Sequence, residues 1–288
     1  MRNETGAARG PQAAWRPQLV ALDIDGTLVD HEGRLPDSVR RSVRRVVDAG
    51  VPVVLATGRS WHATRPVFEE LDLPRGPVVA SNGAVCVQFP PLEFQQVITF
   101  NPARVVERVL QEHPTAALAA EVIGEGYRVT KQFPEGDLTG SIEVVTADDL
   151  AGSDVTRIVV RDPDASDDDF IALADRLGLH GVSYFVGWSA WLDIAPDGVN
   201  KALALVEVAQ ALGVAQSDVL AIGDGRNDVE MLTWAGRGVA LGGSPAEVRA
   251  AADHVTGTFT ADGTAEELDR WFAPGKADRR RSRGATAA

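Results

Sequence analysis

Two acidic side chains stand at the end of an apolar run near the start of the chain. The run Leu19–Ile24 is typical of a strand buried on both faces, and Asp23 and Asp25 lie at its C-terminal end, before Gly26. Residues i and i+2 of an extended backbone point the same way, so both carboxylates can face one site. Because two carboxylates so close repel each other, either one is protonated or a cation lies between them. Taken alone, the pattern is also typical of an acidic strand end followed by a turn.

Polar residues also follow the next two predicted strands. The strand predicted at Val51–Ala56 is followed by Thr57, Gly58 and Arg59, and the weaker strand at Pro77–Ala80 is followed by Ser81, Asn82 and Gly83. A hydroxyl group and exposed backbone N–H groups after a strand form a small anion-binding site. Each of these segments alone is also typical of an ordinary polar loop.

A second group of acids follows an apolar strand predicted at Val219–Ile222. Asp224 comes just after this strand, and Asp228 lies four residues later, where it can meet Asp224 in the turn into the next helix. Buried acids without partners are too costly to keep ionised, so the cluster predicts a bound hard cation. Carboxylates at two strand ends fit Mg²⁺ with several retained waters better than they fit zinc. Lys201 begins a predicted helix, and a single cation there is by itself usually surface charge.

Short apolar runs alternate with helical patterns at both ends of the chain, which predicts a parallel, doubly wound α/β sheet. The remaining elements of this sheet are a strand at Gly238–Leu241 and helices at Asp37–Ala49, Lys201–Leu212 and Val229–Ala235. Ligands bind at the C-terminal ends of the strands in such sheets, which is where the polar motifs stand.

The segment 88–188 lacks these polar motifs and is predicted to be a smaller α/β domain inserted into the first. It contains helices predicted at Pro102–Glu112 and Asp167–Leu177 and strands predicted at Val155–Val160 and Val182–Val186. The predicted organisation is a flexible arm at 1–17, a core domain formed by 18–87 and 189–273, the inserted domain at 88–188, and a basic disordered tail at 274–288.

Composition excludes several classes of protein. The chain has 288 residues, with 28 basic and 41 acidic side chains, and a net charge of −13 opposes nucleic-acid binding. The single cysteine, Cys86, excludes an internal disulfide and a multi-cysteine zinc site. No apolar run approaches the roughly 20 residues of a membrane span, and the first residues lack the apolar stretch of a secretory signal. We therefore expect a cytoplasmic protein that is a monomer or a homodimer and has no membrane partner.

Taken in order, the motifs resemble the haloacid dehalogenase (HAD) superfamily and, within it, the Cof-type phosphatases. The matching segments are VALDIDGTLVD (20–30), PVVLATGR (52–59), ASNGAV (80–85), DGVNKALAL (197–205) and AIGDGRNDVEML (221–232). The resemblance implies a Rossmann-like HAD core, and it implies that the insertion is an α/β cap of the C2B type. One mild departure is Asn200, where many members carry another small polar residue before the lysine.

The resemblance also implies a role for each motif residue. Asp23 resembles the family's nucleophile and Asp25 its general acid and base. Thr57 resembles the residue that hydrogen-bonds the phosphoryl group, and Lys201 the residue that stabilises its charge. The implied Mg²⁺ ligands are Asp23, Asp25, Asp224 and Asp228, the last through water or as the partner of a ligand. The implied phosphate and substrate contacts are Thr57, Gly58, Arg59, Asn82, Lys201 and Asn227.

The expected function is Mg²⁺-dependent hydrolysis of a small phosphorylated metabolite, such as a sugar phosphate, through an aspartyl-phosphate. The nearest alternative is a phosphomannomutase-like mutase, which must hold a bisphosphate, whereas the segment 88–188 is acidic with few clustered Arg or Lys. A signalling receiver domain also pairs acids with a lysine, but receivers are far shorter and lack an acid two residues after the acceptor. A non-catalytic phospho-ligand-binding protein of the same fold is the fourth hypothesis, and no acid is missing that would favour it.

Overall fold

The computed structural model describes residues 15–177, 182–186 and 191–272, which form two sheets. The larger sheet contains β1 (Leu19–Leu22), β2 (Val53–Ala56), β3 (Gly76–Ala80), β4 (Val85–Phe89), β5 (Glu93–Val97), β12 (Val219–Gly223), β13 (Arg237–Ala240) and β14 (His254–Val255). Their order is β14-β13-β12-β1-β2-β3-β4-β5. Neighbouring strands from β14 to β3 run parallel, whereas β3, β4 and β5 pair antiparallel at one edge.

Helices bury both faces of this sheet, as the continuous apolar runs predict. In β1, Val20 and Leu22 belong to one apolar cluster, whereas Leu19 and Ala21 belong to the cluster on the opposite face. The first cluster is closed by α1 (Asp37–Asp48), α2 (Trp61–Glu70) and α9 (Gly263–Phe272), and the second by α6 (Lys201–Ala211), α7 (Val229–Trp234) and α8 (Ala246–Ala251). The helices predicted at α1, α6 and α7 each end within one residue of the predicted position. Within the described ranges, no helix is long and apolar enough to cross a membrane.

The smaller sheet lies in the middle of the chain. It contains β6 (Ala117–Val122), β7 (Gly126–Val129), β8 (Ser141–Val144), β9 (Ile158–Arg161), β10 (Val182–Val186) and β11 (Trp191–Pro196), in the order β10-β11-β9-β6-β7-β8. One of its faces packs against α3 (Ala103–Glu112), α4 (Ala147–Ala151) and α5 (Asp167–Leu177). We call residues 100–196 the cap, and the larger sheet with its helices the core. The predicted architecture, a parallel α/β core with an inserted α/β cap, is confirmed.

The boundaries between core and cap that the two sheets define differ from the predicted ones, which place the core at 18–87 and 189–273 and the cap at 88–188. The strand β5 pairs with β4 in the core sheet, although it lies inside the segment predicted as cap. The strand β11 pairs with β9 and β10 in the cap sheet, although it lies beyond residue 188. The segment Glu93–Val97 is mostly exposed and lacks an apolar pattern, so only its pairing with β4 makes it a strand.

The end of the predicted N-terminal arm packs on the core. The Trp15 indole nitrogen donates a hydrogen bond to the carbonyl oxygen of Ser217 at 2.8 Å, and its ring meets Trp271 edge-on with centroids 4.8 Å apart. Trp15 therefore belongs to the folded core, in contrast to the prediction of an arm that extends to residue 17. The rest of that arm, residues 1–14, and the predicted tail at 274–288 lie outside the described residues.

Candidate active site

Asp23 and Lys201 form a buried ion pair at the C-terminal edge of the core sheet. Asp23 directly follows β1, and Lys201 begins α6, where the Asn200 side chain caps the helix. The Lys201 Nζ donates to Asp23 Oδ1 at 2.6 Å and to Asp228 Oδ1 at 2.7 Å. Burial opposes the ammonium group, but Asp228 and Asp23 raise the pKa of Lys201 above its ordinary value. Lys201 is fully buried, so the alternative of a surface charge is wrong.

Asp228 is held through both carboxylate oxygens. Its Oδ1 accepts from Lys201, and its Oδ2 accepts from the backbone N–H groups of Asp224 at 3.0 Å and Gly225 at 2.9 Å. The backbone passes close to this carboxylate at Gly223, where a Cβ would lie 2.4 Å from the Asp228 Cγ. Asp228 therefore fixes the position of the lysine ammonium group and the conformation of the loop that carries Asp224.

Asp224 lies beside the start of the chain's first motif. The Thr27 hydroxyl donates to Asp224 Oδ1 at 2.9 Å across 197 residues of sequence. Burial and the charge of Asp228 raise the pKa of Asp224 to about 7. Burial and Asp228 also raise the pKa of Asp23 well above its usual range, although Lys201 acts in the opposite direction. Burial is the largest cause for both carboxyl groups, and the neighbouring carboxylates add to it.

This buried acidic group fits a magnesium ion. Asp23, Asp224 and Asp228 each offer one carboxylate oxygen, and these oxygens lie within 4.8 Å of one another. An all-oxygen donor set with an excess of negative charge is the set that hard divalent cations prefer. Asp25, which the sequence also predicts as a metal ligand, lies outside the three-carboxylate group formed by the described residues.

Asp25 is paired with Arg59 across the mouth of the site. The Arg59 Nε donates to Asp25 Oδ2 at 2.9 Å, and its Nη2 donates to Asp25 Oδ1 at 2.5 Å. The Asp25 side chain is half-exposed, whereas Asp23 two residues earlier is buried. The two carboxylates therefore have different environments, one buried and one half-exposed.

The loops after β2 and β3 are joined to each other and to the loop after β12. The Asn82 backbone N–H donates to the Thr57 carbonyl at 3.0 Å, and the Asn227 side-chain amide donates to Asn82 Oδ1 at 2.9 Å. The Thr57 hydroxyl accepts from the Arg59 backbone N–H at 3.1 Å. A Cβ at Gly58 would lie 3.2 Å from Asn82 Oδ1, so the side chains of both asparagines pack over this backbone. The residues predicted to contact phosphate therefore share one edge of the sheet.

A cavity of about 940 Å³ opens between the core and the cap. Its lining includes Asp23, Asp25 and Arg59 from the core and Tyr127, Arg157, Trp191 and Asp193 from the cap. Arg157 reaches the core, because its Nη1 donates to the carbonyl oxygen of Gly58. The cap therefore covers the site at the loop predicted to bind phosphate.

The sequence analysis missed three buried charged residues of the cap, of which Arg157 and Asp193 line this cavity and Glu121 lies beside Arg157. Arg157 is directly followed by the apolar run Ile158–Val160, Asp193 interrupts the apolar strand β11, and Glu121 closes the small apolar run of β6. All three charged side chains are buried. A charged residue inside an apolar run is a signal for a paired or functional group, because unpaired burial of a charge is costly. That signal was available from the sequence, but the identity of the partners was not.

Comparisons with known proteins agree with this geometry. Residues 20–268 match the family model described as haloacid dehalogenase-like hydrolase. The chain is 29% identical over 273 residues to the 5-amino-6-(5-phospho-D-ribitylamino)uracil phosphatase YitU of Bacillus subtilis, covering 90% of this chain and 98% of the relative. It is 33% identical over 252 residues to the phosphoglycolate phosphatase of Natronomonas pharaonis, covering 87% of this chain and 96% of the relative.

The fold is also that of solved structures. The HAD subclass IIB sugar phosphatase BT4131 superposes with a TM-score of 0.75 at 21% identity, covering 88% of this chain and 98% of the other. A haloacid dehalogenase-like hydrolase from Bacteroides thetaiotaomicron gives the same TM-score at 24% identity, with 89% of this chain and 100% of the other covered. The resemblance that the motifs indicate is confirmed. The chain belongs to the haloacid dehalogenase-like hydrolase family.

Proposed function

We propose that this protein is a Mg²⁺-dependent phosphatase that hydrolyses a small phosphorylated metabolite through an aspartyl-phosphate on Asp23. The observation that carries the proposal is the buried Asp23–Lys201 pair, which lies beside Asp224 and whose Asp23 lines the cavity under the cap. The names of the relatives support it, since YitU acts on a ribitylaminouracil phosphate and another relative acts on phosphoglycolate.

The residues that would hold Mg²⁺ are Asp23 and Asp224, with Asp228 as the orienting partner that also binds Lys201. When bound, the ion supplies positive charge that offsets the repulsion between a carboxylate and an anionic phosphate ester. The loops after β2, β3 and β12 supply the remaining phosphate contacts through Thr57, the backbone of Gly58, Asn82 and Asn227. Lys201 stabilises the charge on the equatorial oxygens of the phosphoryl group.

In the first step, a carboxylate oxygen of Asp23 attacks phosphorus and the bond from phosphorus to the leaving oxygen breaks. Burial and neighbouring carboxylates raise the pKa of Asp23, whereas the ammonium of Lys201 favours its ionised form, and the charge of a bound Mg²⁺ would act in the same direction as Lys201. An ionised carboxylate is a nucleophile that needs no base. Asp25 gives a proton to the leaving oxygen, and the alcohol departs. The products are the free alcohol and the phosphorylated Asp23.

In the second step, Asp25 takes a proton from water as the water oxygen attacks phosphorus. The bond from phosphorus to the Asp23 oxygen breaks, which restores the carboxylate and releases inorganic phosphate. Asp25 is suited to both transfers because its half-exposed side chain lies at the mouth of the cavity rather than inside the buried acidic group. Splitting one hydrolysis into two displacements is the catalytic gain.

The test is phosphate release from a panel of phosphorylated metabolites, with Mg²⁺ and with EDTA. The panel contains hexose and pentose phosphates, glycerol phosphate, pyridoxal phosphate, FMN and nucleotides. Magnesium-dependent release supports the proposal, and a single preferred substrate identifies what the cap selects. Interconversion of hexose 1- and 6-phosphates without release would instead identify a mutase. The cytoplasmic location and the monomeric or homodimeric state stay predictions.

A further inference from the structure

The cap wall of the cavity carries one arginine among its described lining residues. That wall is formed by Tyr127, Gly136, Asp137, Thr139, Arg157, Trp191 and Asp193. A substrate with a second anionic group, such as a bisphosphate or a phosphorylated carboxylic acid, needs a free cation on this side, because the phosphate subsite belongs to the core. Arg157 is the candidate for that cation. Whether it can bind a second anionic group depends on the groups that already pair with it.

Arg157 is buried among acidic and hydrogen-bonding partners inside the protein. Its side chain is 4% exposed, and its Nε lies 3.2 Å from Glu121 Oε2 while its Nη1 lies 3.4 Å from Asp193 Oδ1. Its Nη1 also donates to the Gly58 carbonyl, and its Nη2 donates to the Tyr127 hydroxyl. Two buried carboxylates therefore balance one guanidinium, and the cation is directed into the cap and the core loop.

Glu121 and Asp193 are themselves fixed by the core. The Ser81 hydroxyl donates to Glu121 Oε2 at 2.6 Å, and the Asn82 side-chain amide lies 3.4 Å from Asp193 Oδ2. The Thr156 hydroxyl adds a further hydrogen bond to Glu121 at 3.2 Å. The carboxylates cannot turn away from Arg157 without losing these bonds, so the guanidinium stays neutralised when the cap covers the core.

The other arginines that line the described part of the cavity are also paired with acids. Arg59 binds Asp25, and Arg226 binds Glu247 at 2.7 Å. The lining carries three arginines but six carboxylates, which are Asp23, Asp25, Glu32, Glu70, Asp137 and Asp193. Each of these carboxylates is itself paired with a cation, in the order given Lys201, Arg59, Arg34, Arg40, Arg161 and Arg157. A second negative charge on the substrate would therefore find no unpaired arginine on the described lining.

We propose that the substrate carries no anionic group besides its phosphate, and that Glu121 and Asp193 set this selectivity by neutralising Arg157. The inference rests on the proposed phosphatase function. The leaving group is an uncharged hydroxyl-bearing chain or ring, because Asp137, Asp193 and Thr139 offer oxygen acceptors for hydroxyl groups and Trp191 offers an apolar ring face. The same neutralisation denies the cap the second anion site that a bisphosphate mutase needs.

The test compares pairs of substrates that differ in one charge. Glycerol 3-phosphate is matched with 3-phosphoglycerate, and glucose 6-phosphate is matched with 6-phosphogluconate. We expect kcat/KM to be at least about tenfold higher for the uncharged member of each pair, because no unpaired arginine on the described lining offsets the desolvation of a second anionic group. Equal or better turnover of the charged members would overturn the inference while leaving the phosphatase function intact. Absence of Mg²⁺-dependent release from every compound tested would overturn the phosphatase function itself, and the inference with it.

Two isosteric variants test the residues assigned to this selectivity. Asp193→Asn and Glu121→Gln each remove one negative charge beside Arg157 and keep the size of the side chain. We expect each to shift the kcat/KM ratio about tenfold toward the charged member of a pair. The matched control is Glu93→Gln, which removes a carboxylate paired with Arg75 outside the cavity lining and should leave the ratio unchanged. A folded Asp193→Asn or Glu121→Gln protein with the wild-type ratio would contradict the assignment.

Discussion

Arg59 holds Asp25 through both of its carboxylate oxygens, with Nε donating at 2.9 Å and Nη2 at 2.5 Å. The sequence analysis predicts Arg59 as a phosphate contact because it follows Thr57 and Gly58. In the structure its guanidinium is instead committed to the residue proposed to carry the proton. A bidentate pair fixes the orientation of a carboxylate as well as its charge, so Arg59 is placed to position Asp25.

The first prediction separates these two roles of Arg59. Arg59→Lys keeps the positive charge but loses the planar fork that binds both oxygens. If Arg59 positions Asp25, kcat falls about 10- to 100-fold with KM little changed, and the loss is larger for sugar phosphates than for p-nitrophenyl phosphate. Asp25→Asn is the control, since it should show the same dependence on the leaving group. A raised KM with an unchanged kcat would instead support direct phosphate binding.

The second prediction concerns the nucleophile. Asp23→Asn should lower turnover by about 10³-fold or more, because an amide cannot form the aspartyl-phosphate. The folded state should survive, since Lys201 keeps its bond to Asp228 and one charge leaves a crowded acidic group. Steady-state kinetics and thermal melting measure the two effects. An active Asp23→Asn enzyme would remove Asp23 from the nucleophile role.

The third prediction concerns the metal. Asp224→Asn should raise the Mg²⁺ concentration needed for half-maximal activity by about tenfold or more, because a buried carboxylate ligand is lost. Titration of activity with Mg²⁺ measures the change. Asp48→Asn on the surface of α1 is the control and should titrate like the wild type. An Asp224→Asn variant with the Mg²⁺ titration of the wild type would show that Asp224 does not belong to the metal site.

The fourth prediction uses the close approach of Gly26 to Asp224. Gly26 has a φ of +78°, and a Cβ there would lie 2.3 Å from the Asp224 Oδ2. Gly50 has a similar φ of +74°, with no atom within 4 Å of its Cβ position. Each change to alanine costs roughly 1–2 kcal/mol of stability from the left-handed backbone. Only Gly26→Ala should also lower activity and raise the Mg²⁺ concentration needed for half-maximal activity, because only this change displaces a carboxylate of the site. Equal activity in the two variants would contradict this prediction.

The fifth prediction is a pH dependence of stability without metal. The pKa of Asp224 rises from 3.8 to about 7 on folding, so the native state binds this proton more tightly than the unfolded chain. This difference in proton binding adds at most about 4 kcal/mol to the free energy of unfolding. The contribution is complete below about pH 4 and is lost as the pH rises through about 7. Asp224→Asn mimics the protonated carboxyl, so in EDTA it should match the wild type near pH 4 and exceed its stability at pH 8. Denaturant unfolding at both pH values measures the difference, and a constant difference would refute the shift.

Local patterns in the sequence determined the parallel core and the family. The apolar runs of β1, β2 and β12 are continuous because both sheet faces are covered, and the acids, the threonine and the lysine stand next to those runs along the chain. The C-terminal ends of parallel strands meet at one edge, so the convergence of Asp23, Thr57 and Asp224 follows from their positions alone.

Only the tertiary structure decided which charges meet. Asp25 pairs with Arg59, and Arg157 pairs with Glu121 and Asp193. These pairs are separated by up to 36 residues along the chain and depend on the order of the strands. The same applies to the boundary of the cap, because β5 becomes a core strand through pairing with β4 and not through its own apolar pattern. Sequence patterns reflect the environment of each residue within a few positions, whereas the partner of a buried charge is fixed by which strands lie side by side. The convergence of the motif residues at one edge of the core sheet was therefore predictable from the sequence, and the cap wall of the cavity was not.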